Sequence, residues 1–162
     1  MSEEMFVRQC APTLAGVKTG SLFSCPYDTR EGMTEDVRRL NRVLVPKGLR
    51  LLPLRYSEKR VLLYLYRPTE LWRDLNDDTA AEILDAAGYS CTDCDRCVVK
   101  LIQRLRGNKD FPHEIGLFLS YPPEDVKGFI DNNAANFKYS GLWKVYGDEK
   151  RAKAMFEKFK KC

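Results

Sequence analysis

The chain has 162 residues, of which 44% are hydrophobic and 31% charged, and its formal net charge at neutral pH is +4. These values are typical of a globular domain with its own core and argue against a disordered or fibrous protein. No stretch approaches the roughly 18 consecutive apolar residues of a membrane-spanning helix, and the first residues lack the features of a signal peptide. We therefore expect one domain over residues 1–162, without a membrane span and located in the cytoplasm.

The first third of the chain predicts two helices separated by a loop. Residues 1–30 indicate a short helix and then a loop, because Pro12 and Pro26 act there as turn signals together with glycines. Thr34 is a candidate cap for the next helix, whose apolar residues follow helical spacing. That helix is expected to end at Pro46-Lys-Gly48.

Strands are predicted in the middle of the chain, over 49–56 and 60–66. The second is rich in Leu, Val and Tyr, as is typical of a central strand that is buried on both faces. Helices are then expected over 69–74, 78–87, 92–106, 123–132 and 149–161, and further strands over 114–121 and 137–146. The sum is an α+β domain of about four strands with helices packed on the sheet, and the strand order stays open.

Six cysteines in a cytosolic chain predict mostly reduced thiols. Three of them, Cys91, Cys94 and Cys97, have a C-x2-C-x2-C spacing that is found among ligands of iron–sulfur clusters and zinc. The pattern after Cys97 is helical, and thiols three residues apart on a helix diverge around its axis, which suits one tetrahedral metal poorly. Both a metal site and a stripe of partly buried thiols remain open.

Cys10 and His113 are the candidates for catalytic chemistry. Cys10 stands beside a proline turn and near Lys18, a setting that could lower the thiol pKa and make it a nucleophile. His113 is the only histidine, at the start of a predicted strand, and could be a base, a heme ligand or a metal ligand. The structural alternatives are a small buried hydrophobe for Cys10 and a half-buried histidine for His113.

Glycines and aromatic residues in the last third predict a slot beside the sheet. Gly116 in the predicted strand and Gly128 in the helix after it allow either close packing or the approach of a ligand. A flat ligand such as flavin or heme would suit walls that include Tyr121 and Trp143, although core packing explains the same aromatics. The basic residues are scattered, which argues against nucleic-acid binding.

The chain resembles a family of small proteins from anaerobic bacteria that is described as a domain of unknown function. The resemblance covers nearly the whole chain and rests on Cys10-Ala-Pro-Thr-Leu-Ala-Gly16, Phe111-Pro-His-Glu-Ile-Gly-Leu-Phe-Leu119, Glu124-Asp-Val-Lys-Gly-Phe-Ile130 and Trp143-Lys-Val-Tyr-Gly-Asp148. The family pattern has Gly in place of Ser120 and an apolar helix in place of the first two cysteines of the triplet. The triplet is therefore no family signature.

The resemblance also implies work linked to iron or redox chemistry, with a flavodoxin-like protein as a partner. Our leading hypothesis is a protein that binds an iron-containing or redox-active ligand, such as heme or a metal ion. Its site would be lined by Cys10, Lys18, Arg67 and His113. The alternatives are a thiol-dependent transferase or reductase and a module that only docks a redox protein.

Overall fold

The structure is a computed structural model that describes residues 1–90, 92–107 and 110–162. Helices and strands alternate irregularly along the chain. In chain order they are α1 (Glu3–Leu14), β1 (Gly20–Pro26), α2 (Arg30–Leu44), a 3₁₀ turn (Val45–Lys47), β2 (Arg50–Tyr56), β3 (Arg60–Tyr66), α3 (Pro68–Leu75), α4 (Asp78–Ala86), α5 (Cys94–Gly107), a 3₁₀ segment (His113–Leu119), α6 (Pro123–Asp131), β4 (Tyr139–Ser140), β5 (Lys144–Val145) and α7 (Glu149–Lys160).

The main sheet has three antiparallel strands in the order β1–β3–β2. The central strand, β3, pairs along its whole length with β1, and its pairing with β2 shifts at a bulge between Pro53 and Arg55. Proline lies on β2 without disrupting the sheet because β2 is an edge strand, where one row of backbone groups is unpaired. The strands β4 and β5 form a separate hairpin.

Alternation along β3 divides the core into two layers. Val61, Leu63 and Leu65 pack with residues of α1 and α2, in a cluster that we call the first core. Tyr64 and Tyr66 point to the other face, where they pack with α3, α4, α5 and the 3₁₀ segment in the second core. Successive side chains of a strand point to opposite faces, so the sheet is covered on both sides.

The α+β class is confirmed, and so are β2, β3 and most helices. The helices predicted from residue 123 and from residue 149 begin at those positions. The apolar period and the residues at the helix starts, Pro123 for α6 and Asp148-Glu149 for α7, were sufficient there, since helices of this length show several turns of the pattern. The predicted cap Thr34 is wrong, because Thr29 accepts the capping hydrogen bond from Gly32 N.

The strand β1 is a structural element that the sequence pattern did not predict. It lies in the region expected to be a loop, between Gly20 and Pro26. Phe23 and Cys25 are buried from it into the first core. The two serines and the terminal Gly and Pro have low strand propensity, so the strand forms because β3 offers it a full ladder of hydrogen bonds.

The predicted strand 114–121 is wrong, because this segment is a 3₁₀ helix. Leu117, Phe118 and Leu119 are all buried, and a short continuous apolar run does not distinguish a buried strand from a buried helical segment. The Tyr64 hydroxyl donates to the carbonyl oxygen of Phe118 at 2.6 Å, which fixes the segment to the second face of the sheet. Ser120 ends it with a φ of 67°.

The predicted strand 137–146 is also wrong as a single strand. The chain reverses at Gly141 and forms the β4–β5 hairpin, in which Gly141 N donates to Trp143 O at 3.0 Å. Alternation along a single strand would place Phe137 and Trp143 on one face, but Phe137 is 42% exposed whereas Trp143 is buried. The alternation of apolar and polar residues continues through the turn, so the pattern alone does not show that the chain reverses its direction there.

No helix within the described ranges is long and apolar enough to cross a membrane.

The hairpin and α7 form a small third cluster of buried residues, which we call the C-terminal cluster. It consists of Trp143, Val145, Ala152, Phe156 and Phe159.

Gly128 provides a test of how α6 and the hairpin pack. A Cβ atom at this position would overlap the ring of Tyr146. We expect Gly128→Ala to lower the free energy of unfolding by about 1–3 kcal/mol, because overpacking outweighs the gain in helix propensity. Chemical denaturation measures this change.

The matched control is Gly107→Ala at the end of α5, where an added Cβ meets no atom of the described residues within 4 Å. There the substitution is expected to be neutral or to stabilise by up to about 1 kcal/mol. Equal effects at the two glycines would contradict the close packing of α6 on the hairpin.

Candidate functional site

A cavity of about 390 Å³ lies between the 3₁₀ segment, α6 and the β4–β5 hairpin. This volume is within the range of about 300–1,000 Å³ that is usual for small-molecule sites. Its walls are mainly aromatic and aliphatic. The cavity, which we call the hairpin cavity, is lined by residues that include His113, Tyr121, Phe129, Leu142, Trp143 and Lys144.

His113 stands at the edge of the hairpin cavity at the first position of the 3₁₀ segment. Its side chain is exposed and its ring meets the ring of Phe129 edge-on, with 5.1 Å between the centroids. The imidazole makes no hydrogen bond to any residue of the described ranges. A histidine with such a setting retains both ring nitrogens for a proton, a metal or a polar ligand.

Tyr121 and Trp143 form one wall of the cavity. Their rings stack with centroids 4.7 Å apart, and Trp143 packs edge-on against Phe156 of the C-terminal cluster. Gly116 lies beneath Tyr121, and a Cβ there would overlap its ring. The space beside each glycine, which the sequence offered to a ligand, is therefore filled by an aromatic ring of the protein: Tyr121 packs on Gly116, and Tyr146 packs on Gly128. A ligand would lie on this wall rather than between the glycines.

Asp125 fixes the hairpin to α6. Its carboxylate is only 2% exposed and accepts hydrogen bonds from Trp143 Nε1 at 2.8 Å, Tyr146 N at 2.9 Å and Gly147 N at 2.8 Å. A buried carboxylate with three donors is satisfied and stays bound to them. Asp125 is therefore a positioning residue that holds the Trp143 wall in place.

A second cavity of about 470 Å³ lies on the other side of the Phe111-Pro112-His113 ridge. At its floor the buried Glu114 forms an ion pair with Arg104 and accepts a hydrogen bond from the Tyr89 hydroxyl at 3.3 Å. Burial, and secondarily the charge of Glu114, raises the pKa of Tyr89. His113 thus separates an aromatic cavity from a charged one.

Cys10 lies in the first core and is completely buried. Burial raises the pKa of its thiol to about 12, although the charge of Lys18 acts in the opposite direction. Lys18 is half-buried, its pKa is lowered by desolvation, and its ammonium lies 5.6 Å from the ring centre of Phe159. The structure therefore brings Cys10 and Lys18 within electrostatic range of each other. Cys10 lies in the first core, whereas the Lys18 ammonium lies beside Phe159 of the C-terminal cluster.

Arg67 caps the C-terminal end of α1. Its Nε donates to Thr13 O at 3.1 Å and its Nη2 donates to Leu14 O at 3.2 Å. Cationic side chains stabilise the carbonyl end of a helix. This structural role explains the residue, and the lining of the hairpin cavity does not include it.

The cysteine triplet falls partly outside the described residues, since Cys91 is not among them. Cys94 is a half-buried free thiol, and burial raises its pKa to about 11. Cys97 is fully buried and disulfide-bonded. The residues that the structure describes contain no group of three or more Cys, His, Asp and Glu side chains that could hold a metal ion.

Several residues of the hairpin cavity were not found from the sequence. Lys144 places its ammonium 4.7 Å from the ring centre of Phe137 and 5.9 Å from that of Phe129, and donates to Ala134 O at 2.8 Å. Leu142 is 47% exposed at the cavity mouth. The signal that could have indicated them is Gly141, which was overlooked as a hairpin turn.

Comparison with known proteins identifies the family. Residues 6–162 match the model described as "Protein of unknown function (DUF3793)". The chain belongs to this family. No curated protein and no solved structure matches the chain. The expected resemblance to a domain of unknown function is confirmed over nearly the whole length.

In this DUF3793 protein, Asp125→Asn tests how the cavity wall is held. An amide supplies one oxygen and brings an NH₂ group towards backbone donors, so we expect a loss of about 2–4 kcal/mol in the free energy of unfolding. Asp131→Asn on the same helix is the control, since Asp131 is exposed and forms a surface ion pair with Lys127 at 3.2 Å. It should cost less than about 0.5 kcal/mol. Urea denaturation measures the free energy of unfolding of both variants. Equal losses in the two variants would contradict this role of Asp125.

Alkylation tests the state of Cys10. Because its pKa is raised to about 12, its thiolate is scarce at every lower pH, and burial also blocks access. We expect iodoacetamide at about pH 8 to modify the exposed Cys162 and to leave Cys10 unmodified until the protein is unfolded. Peptide mass spectrometry measures both sites. Equal modification rates in the native protein would restore Cys10 as a candidate nucleophile.

Proposed function

We propose that this protein binds a planar redox-active ligand in the hairpin cavity, with heme as the first candidate. The observation that carries the proposal is the position of His113. Its imidazole makes no hydrogen bond within the described residues and borders a cavity that also contains Tyr121 and Trp143. An aromatic cavity with few polar groups is typical of small-molecule sites.

The donor set favours heme over a bare iron ion. An ion held by protein alone needs several side chains, and none of the described residues form a group of three suitable ligands. Heme brings four nitrogens of its own, so His113 alone would suffice as the protein's ligand to iron. When bound, heme would supply one-electron chemistry at iron, and Tyr121 and Trp143 would provide the aromatic wall against which it lies.

Charge at the cavity also supports an anionic planar ligand. The Lys144 ammonium is held beside Phe129 by its hydrogen bond to Ala134 O and by its contact with the Phe137 ring. A fixed ammonium at the edge of an apolar cavity favours a ligand that carries carboxylates. A flavin with a phosphate is the second ligand of this class, and it would use the same wall without an iron ligand.

A redox-active ligand needs a donor or an acceptor of electrons. A flavodoxin-like protein remains the candidate partner that the resemblance implies. The net charge of +5 over residues 137–162 supports a partner that is acidic. The cytoplasm remains the proposed location: Cys10, Cys25, Cys94 and Cys162 are free thiols, as is usual there, and the disulfide at Cys97 is the exception among the described cysteines.

Titration with hemin tests the proposal. The protein is purified without oxygen, its iron and zinc contents are measured, and hemin is then added while the absorption spectrum is recorded. We expect a saturable complex with the spectrum of a histidine ligand, at least about tenfold weaker in His113→Ala. Added imidazole should restore the spectrum of His113→Ala, because it replaces the lost nitrogen.

Leu142→Ser and Val43→Ser serve as paired controls for non-specific adhesion of hemin. Both residues are exposed and apolar, but only Leu142 lines the hairpin cavity. Leu142→Ser should weaken binding and keep the histidine spectrum, whereas Val43→Ser should change neither. If the protein bound flavin mononucleotide but not hemin, His113 would not be an iron ligand. Failure of both ligands to bind would overturn the proposal.

A further inference from the structure

Positive charge is concentrated at the C-terminal end of the chain. Residues 137–162 contain eight Lys and Arg and three Asp and Glu, a net charge of +5. Residues 1–136 contain 19 basic and 20 acidic residues, a net charge of −1. The whole excess charge of the protein therefore comes from the segment that forms the β4–β5 hairpin and α7. Such an asymmetry creates a field that attracts an anionic partner.

Exposed apolar side chains are concentrated in the same segment. Phe137, Tyr139 and Leu142 are 42%, 39% and 47% exposed, and they are three of the eight large apolar residues that are exposed in the described ranges. They lie within six consecutive residues of the hairpin. Exposed apolar side chains that lie close together mark interaction surfaces more often than scattered ones do.

The lysines of the hairpin are held in place before any partner arrives. Lys153 lies 4.4 Å from the ring centre of Tyr139 and pairs with Glu149 at 3.0 Å. Lys138 donates to Gly147 O at 3.0 Å. Ammonium groups that are already ordered lose less conformational entropy on binding. We call this surface the hairpin face, and it consists of Phe137, Lys138, Tyr139, Leu142, Lys144 and Lys153.

The ring contacts favour a protein over a nucleic acid. A base stacks on a free aromatic face, but Lys153 lies over the Tyr139 ring, and the Phe156 ring is 6.2 Å from it on centroids. Lys144 lies over Phe137 in the same way. Ammonium groups paired with rings, beside an exposed leucine, match a partner that offers carboxylates and aliphatic side chains.

We infer that the hairpin face is a docking surface for an acidic protein. Carboxylates of the partner pair with Lys138 and Lys153, aliphatic side chains cover Phe137, and Leu142 and Lys144 form the border with the hairpin cavity. Only the role of this docking, which is to bring the partner to the open side of the hairpin cavity, rests on the proposed function. The surface itself is derived from charge and exposure.

The probe is a fluorescent synthetic peptide made of Asp, Glu and Leu, and its binding is measured by fluorescence anisotropy at two salt concentrations. Binding should weaken by about tenfold between low and physiological salt, because exposed charges are screened. An oligothymidylate of equal negative charge and vesicles of phosphatidylglycerol and phosphatidylcholine are measured in parallel. Tighter binding of either one would overturn the assignment to an acidic protein.

Charge reversal locates the surface. Lys138→Glu with Lys153→Glu should weaken peptide binding by at least about tenfold. Lys47→Glu with Lys59→Glu changes the net charge by the same amount at two exposed lysines outside residues 137–162, and should change binding by less than about twofold. Equal losses in the two double variants would show that only net charge matters and would overturn the inference.

A second double variant controls for loss of structure, because Lys138 and Lys153 also have contacts within the protein. Lys138→Gln with Lys153→Gln keeps hydrogen-bond donors and should still weaken binding of the peptide, with the thermal unfolding temperature unchanged.

His113→Ala distinguishes this inference from the proposed function, since this variant should no longer bind hemin but should still bind the peptide. The charge-reversed protein should keep hemin and lose the peptide. Unchanged peptide affinity in both lysine variants would refute docking at this face.

Discussion

Burial of β3 on both faces is the constraint on which the rest of the structure depends. The sheet has only three strands, so its central strand must be covered by helices on each side to remain out of water. Val61, Leu63 and Leu65 require α1 and α2, and Tyr64 and Tyr66 require the helices that follow. The stacked pair of tyrosines has centroids 4.8 Å apart, and Tyr64 uses its hydroxyl to bind the 3₁₀ segment.

The hairpin cavity follows from that arrangement. The 3₁₀ segment is fixed to the sheet through Phe118, and α6 follows it directly. Asp125 on α6 then binds the hairpin through one side-chain and two backbone donors. Burying a carboxylate is costly unless it is fully hydrogen-bonded, so this contact selects one position of the hairpin. The cavity between these elements has defined walls because each wall is attached to the next.

The predicted site residues separate into different places as a result. Cys10 belongs to the layer of α1, where burial suppresses ionisation of the thiol, and the ammonium of Lys18 lies near Phe159 of the C-terminal cluster. His113, Tyr121 and Trp143 meet on the other side, at a cavity open to solvent. The proposed ligand site and the proposed docking face adjoin there through Leu142 and Lys144, so a docked partner would lie next to the ligand.

The sequence by itself determined the α+β class, the central strand and the helices, because their apolar periods repeat over several turns or a full strand. It also indicated His113, Tyr121 and Trp143 as candidates from residue type. The reversal at Gly141 is local, and the glycine is the turn signal for it in the sequence. Only the tertiary structure decided β1 and the 3₁₀ segment, since each depends on a partner distant in the chain. The same holds for Asp125: its three donors lie 18 to 22 residues away, and a local pattern contains no record of contacts across such a distance.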